Sequence, residues 1–139
     1  MRVARIMLWI LCAAYWITLF TLTHLPRVPV AVAGRLSDKA MHFLAYAVLA
    51  GLLYIAMCAS RSLWKRPAFL VIAVTLLYGA MDELTQPLVG RSCEFLDWVA
   101  DAAGALSVVG LFAFVRYRAE NGRRKRADRP MSVAVQEGT

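Results

Sequence analysis

Three sets of polar residues in this chain carry spacing that could do chemistry. Asp38, His42 and Tyr46 are four residues apart, and so are Asp82 and Gln86, and Asp97 and Asp101. On a helix, positions four apart stack on one face. An imidazole held near carboxylates is the usual equipment for moving a proton. His42 is therefore the candidate general acid or base, with Asp82 or Asp38 orienting it. Arg91 suits an anionic group, because its guanidinium can donate two parallel hydrogen bonds. Lys39, Tyr46, Glu83, Gln86, Arg91, Asp97 and Asp101 complete the set as candidate binding residues.

The charge balance constrains what such a site accepts. Asp38, Asp82, Glu83, Asp97 and Asp101 outnumber Lys39 and Arg91 when His42 is neutral. A bare phosphate would be repelled unless acids are protonated or a cation is present. No HExxH, DxD or cysteine–histidine spacing marks a metal centre, so the sequence assigns no metal ligand and leaves the cofactor unknown.

These residues punctuate segments that otherwise read as membrane-spanning. The chain is 139 residues long, 60% hydrophobic, with a mean hydropathy of +0.57. A soluble fold of this length buries only about 60–70% of its surface, too little to hide so much apolar area. Cys12, Cys58 and Cys93 form no CxxC motif and no disulfide framework. Helices are expected over about 6–23, 40–59, 67–87 and 95–115, each near the roughly 20 residues a bilayer requires. The first could instead be a signal peptide, given Arg2 and Arg5 before it and Ala31-Val32-Ala33 after it. Its apolar core is too long and the small-residue site too distant, which favours a retained helix. The third has only 14 apolar residues from Ala68 to Met81, so it must continue through Asp82 to Gln86 to cross. A carboxylate at membrane depth costs roughly 2.5–3.5 kcal/mol on insertion scales, so these acids need partners or work.

Twelve of the sixteen basic residues fall at the N-terminus, between spans two and three, and after Val115. The remaining four are Arg27, Arg35, Lys39 and Arg91. The positive-inside rule then puts both termini in the cytoplasm and the polar residues on the opposite face of the plasma (inner) membrane. Residues 1–118 read as one four-helix transmembrane domain of the all-α class. Residues 119–139 read as a basic, disordered cytoplasmic tail. Seven of the sixteen basic residues lie after Val115, directly behind an apolar run, which suits anionic lipid head groups. The partners expected are thus the lipid bilayer and those head groups, with no nucleic acid and no protein partner specified.

Each feature has a plainer account. His42 and Tyr46 could be interfacial belt residues, Asp97 a helix N-terminal acid, and Arg91 half of a structural ion pair with Asp82 or Glu83. Ala45, Gly51, Ala100, Ala102, Ala103, Gly104, Ala105 and Ser107 offer surfaces for close helix packing. The whole cluster could be a polar network that pins three helices.

Asp38-Lys39 with His42-Phe43 and Tyr46, then Asp82-Glu83 with Gln86, Arg91, Asp97 and Gly104, resemble the VanZ-like family of small membrane proteins. The match runs in order over residues 38–104, with Asp101 where that family often has Asn. The resemblance implies a helical membrane protein associated with the cell envelope and with glycopeptide (teicoplanin) resistance. The expectation is a polar site facing away from the cytoplasm that binds or modifies an envelope lipid or small molecule. The alternative is a non-catalytic membrane protein whose polar cluster is a packing network.

Overall fold

The structure, a computed structural model, describes residues 2–25, 37–60 and 66–127. Arg27, Arg35, Arg61, Lys65, the small residues at 31–33 and the tail from 128 onward lie outside the described residues. Four α-helices follow one another, with no strand among the described residues: α1 (Arg2–Thr23), α2 (Asp38–Ala59), α3 (Pro67–Thr85) and α4 (Phe95–Ala127). A 3₁₀ turn, Gln86–Val89, follows α3. All four helices are long and apolar enough to cross a membrane.

The helix starts have local causes. Ser37 caps α2, its hydroxyl accepting from the Ala40 amide, and Asp38 adds an acid to the first turn. Pro67 opens α3, where its missing N–H costs nothing. The stretch from Asp82 to Thr85 does continue α3, which gives the span its required length. The chain then tightens through Pro87 and turns at Gly90, whose φ of 78° is left-handed backbone that favours glycine.

The fourth helix departs from expectation. It runs 33 residues, not to Val115 but to Ala127, so residues 119–127 are helical and not a disordered tail. At 1.5 Å per residue that is about 50 Å, longer than a hydrocarbon core. Arginine, lysine, alanine and glutamate are good helix formers, and Arg116 pairs with Glu120 one turn on at 2.8 Å. The helix continues past the point where hydrophobicity stops, and it does so through Asn121 and Gly122, which are poor helix formers.

Helix α4 packs chiefly on α2 and next on α3, while α1 lies mainly against α2. The closest crossing is at Gly104, where an added methyl group would overlap the Phe43 carbonyl oxygen of α2. Gly104 and Ala105 are buried, whereas Ala103 and Ser107 face outward, so only part of the small-residue surface serves packing. Tyr46, Leu49, Ala50, Val71, Ala105 and Val109 form the core. One rim of α1 is stitched by Tyr15, whose hydroxyl donates to the Ala45 carbonyl, and by Trp9, whose indole N–H donates to Ser60.

Candidate functional site

The antiparallel order brings the end of α1, the start of α2, the end of α3 and the start of α4 to one end of the bundle. Buried polar residues concentrate there: Thr23, His42, Asp82, Glu83, Gln86, Asp97 and Asp101. Trp16, Tyr46 and Tyr78 form an aromatic layer beneath them, with Tyr78 edge-on to Trp16 at 5.0 Å and stacked on Tyr46 at 5.8 Å. Below that layer Thr75 donates to the Val71 carbonyl of its own helix. The polar groups thus gather above the aromatic layer.

His42 is the hub, though its partner is not one of those anticipated. Its Nδ1 lies 3.0 Å from Asp101 Oδ1 and 3.8 Å from Glu83 Oε1. Neither Asp38 nor Asp82 orients it. Asp101 takes that place because α4 runs antiparallel to its neighbour α3 and its second turn descends to the depth of His42. When Nδ1 carries the proton toward Asp101, Nε2 is left as the free basic nitrogen.

Asp82 belongs to a different contact, with α1. Thr23 Oγ1 donates to Asp82 Oδ1 at 2.8 Å, and His24 Nδ1 stands 3.6 Å from the same oxygen. His24 Nε2 reaches Thr85 Oγ1 at 2.9 Å. His24 Nδ1 also faces the Phe20 carbonyl of α1 at 3.0 Å. Thr23, His24 and Thr85 are site residues that the spacing argument missed. The one signal for them was a polar pair, Thr23-His24, at the end of the first span on the same side as the acids.

Glu83 is held twice: Gln86 Nε2 donates to Oε1 at 3.2 Å and the Glu94 amide donates to Oε2 at 3.1 Å. Lys39 sits at the rim, 3.2 Å from both Glu94 and Asp97. Glu94 lies in the connection outside the helices, and the Lys39 ammonium holds its carboxyl below the usual carboxylate range. Arg91 does not pair with Asp82 or Glu83. Its guanidinium donates to the Thr23 carbonyl at 3.4 Å and stands 3.9 Å from Asp38. Arg91 therefore straps the connection before α4 to α1 and α2. Asp38 itself is half exposed at the mouth.

Beside the cluster, between α1 and α2, lies a cavity of about 230 Å³. Leu19, Leu22, Met41 and Leu44 supply apolar wall; Asp38, His42 and Arg91 supply a polar end. The arrangement can therefore offer an imidazole nitrogen and a guanidinium to a group whose remainder is apolar. Two sets of potential ligand atoms share His42, each within 4.8 Å of one another: Asp38, His42 and Asp97 at the rim, and His42, Glu83 and Asp101 inside.

No curated protein and no solved structure matches the chain. A family model described as VanZ/LLP1 matches residues 6–116, a stretch that contains every residue of the cluster and most of the chain. With four helices able to cross a bilayer and this match, the chain is a multi-pass membrane protein of the VanZ/LLP1 family.

Proposed function

We propose that the polar end of the bundle binds, and modifies, an amphiphile of the cell envelope, such as a lipid carrying a polar or anionic head group. The observation that carries this is the placement of His42. It joins the buried Asp101 to a cavity with apolar walls and a polar rim, the shape an amphiphile fills. His42 Nε2 would act as general base or acid, with Asp101 fixing the ring, while Arg91 would receive the anionic part of the head group. In this reading the site faces away from the cytoplasm across the plasma membrane, as the distribution of basic residues favours. The basic end of α4 would then lie against anionic lipid on the cytoplasmic side. A role in teicoplanin resistance follows from the family association, through a changed envelope lipid.

A second reading is supported by one specific observation: all four helices contribute to the cluster, and Thr23, Asp82 and Asp101 are buried in it. The cluster would then be a packing network in a non-catalytic membrane protein. Native mass spectrometry of the protein released from its own membranes tests the first reading. A lipid retained by the wild type, and lost from His42→Ala at an unchanged melting temperature, supports the amphiphile site. If His42→Ala retains the same lipid and still protects cells against the glycopeptide, the site reading is wrong.

A further inference from the structure

We propose that His42, Glu83 and Asp101 form a buried site for one divalent cation. His42 Nδ1, Asp101 Oδ1 and Glu83 Oε1 come from three different helices and converge, at 3.0 Å and 3.8 Å from the nitrogen and all within 4.8 Å. Metal–ligand bonds of about 2.1 Å place neighbouring ligands about 3 Å apart and opposite ones about 4.2 Å apart. The two separations from His42 Nδ1 fall in that range, and the two carboxylate oxygens lie within 4.8 Å of each other.

A second observation lies outside the acidic cluster. Tyr46 is fully buried, and its hydroxyl has no hydrogen-bond partner among the described residues. A buried tyrosine hydroxyl usually finds one. Asp101 Oδ2 is equally buried and also without a partner. It lies beside the Tyr46 ring: a methyl group on Gly79 would stand 3.1 Å from Asp101 Oδ2 and 3.2 Å from Tyr46 Cε1. Water bound to a cation supplies donors, which are what an unpartnered carboxylate oxygen and a phenol oxygen need.

Charge points the same way. Of the four buried acids, Asp97 is paired with Lys39 and Asp82 takes the Thr23 hydroxyl. Arg91 is engaged at Asp38 and Thr23. Glu83 accepts only from neutral donors, Gln86 and the Glu94 amide, and Asp101 meets only His42, so neither has a lysine or arginine partner in a region where uncompensated charge is costly. Two carboxylates and one imidazole suit Mn²⁺ or Zn²⁺ better than Ca²⁺, which takes more oxygens. A cation on Nδ1 would offset the acid excess that otherwise repels an anionic head group. It would also leave the ring proton on Nε2, so that His42 in the cation-bound state donates a hydrogen bond through Nε2 in place of acting as the general base. The inference rests on reading the cluster as a ligand site, yet its readout involves no amphiphile.

The test is a Mn²⁺ titration of the full chain in nanodiscs of neutral phosphatidylcholine, followed by electron paramagnetic resonance, with Zn²⁺ as competitor. One Mn²⁺ per chain is expected, displaced by Zn²⁺. Glu83→Gln and Asp101→Asn should weaken binding about tenfold or more, whereas Asp38→Asn should leave it within about twofold. The amide introduced by Asp101→Asn keeps a carbonyl to accept from His42, and metal-free melting checks that the variant folds. If it does not fold, Glu83→Gln decides. Absence of bound Mn²⁺ at millimolar concentration overturns the proposal. So does binding that survives Glu83→Gln and Asp101→Asn but is lost with Asp38→Asn and Asp97→Asn, which would put the ion at the rim. Cation binding without any retained lipid would remove the amphiphile reading and leave this one standing.

Discussion

Replacing Gly104 by alanine should destabilise the bundle, and the same change at Gly110, six residues on in α4, should stabilise it. Alanine is preferred to glycine in a helix by about 0.5–1 kcal/mol, and at Gly110 an added Cβ meets nothing within 4 Å. Gly110→Ala should therefore gain about that amount. At Gly104 the new methyl group meets the Phe43 carbonyl oxygen, which is backbone and cannot rotate away. The helices must separate by roughly 1 Å to restore ordinary contact. Overpacking of this kind costs about 1–3 kcal/mol, which exceeds the propensity gain. The separation also acts on the site, because Phe43 follows His42 and Gly104 lies one turn from Asp101. A contact now at 3.0 Å would stretch beyond hydrogen-bonding range. Thermal unfolding of both variants in lipid nanodiscs is the assay, and Gly104→Ala should melt below the wild type and Gly110→Ala above it. If Gly104→Ala is as stable as Gly110→Ala, the close α2–α4 crossing is wrong.

Two further outcomes are expected. Thr23→Val keeps the shape of the side chain but removes the donor to Asp82, so it should cost about 1–2 kcal/mol in unfolding titrations. Thr23→Ser should recover most of that, and equal stability of all three would show that α1 is not tied to α3. The Glu94 carboxyl, held down by Lys39, should titrate below the ordinary value of about 4.3, and Lys39→Met should raise it. Because its folded value is depressed, the stabilisation from this pair is present above the unfolded value and lost as pH falls through the folded one. Carbon-detected NMR of Glu94 measures both, and a titration unmoved by Lys39→Met would refute the pairing.

Hydropathy marked the spans because a bilayer imposes length and apolarity on any crossing helix, and the i, i+4 rule marked inward faces. The pairings were harder to foresee. Spacing says that His42 and four aspartates share an end of the bundle, but not which carboxylate meets the imidazole. That depends on helix rotation and on relative depth, and the Gly104–Phe43 crossing sets both for α2 and α4. Thr23 and His24 escaped notice because they stand at and just past the end of α1, far in the sequence from the acids they meet. The extension of α4 to Ala127 escaped because hydropathy reports where lipid ends and not where the helix ends.

The apolar wall of the cavity between α1 and α2 is made by Leu19, Leu22, Met41 and Leu44, with Leu44 half exposed on the outside of the bundle. If the proposed amphiphile binds in this cavity, it enters sideways from the bilayer and not from water. Its occupancy then follows the mole fraction of that amphiphile among the membrane lipids. Diluting the buffer leaves it bound, whereas adding detergent or plain phospholipid empties the site. Dissociation constants from preparations with different lipid-to-protein ratios will agree only when concentration is counted per lipid and not per litre.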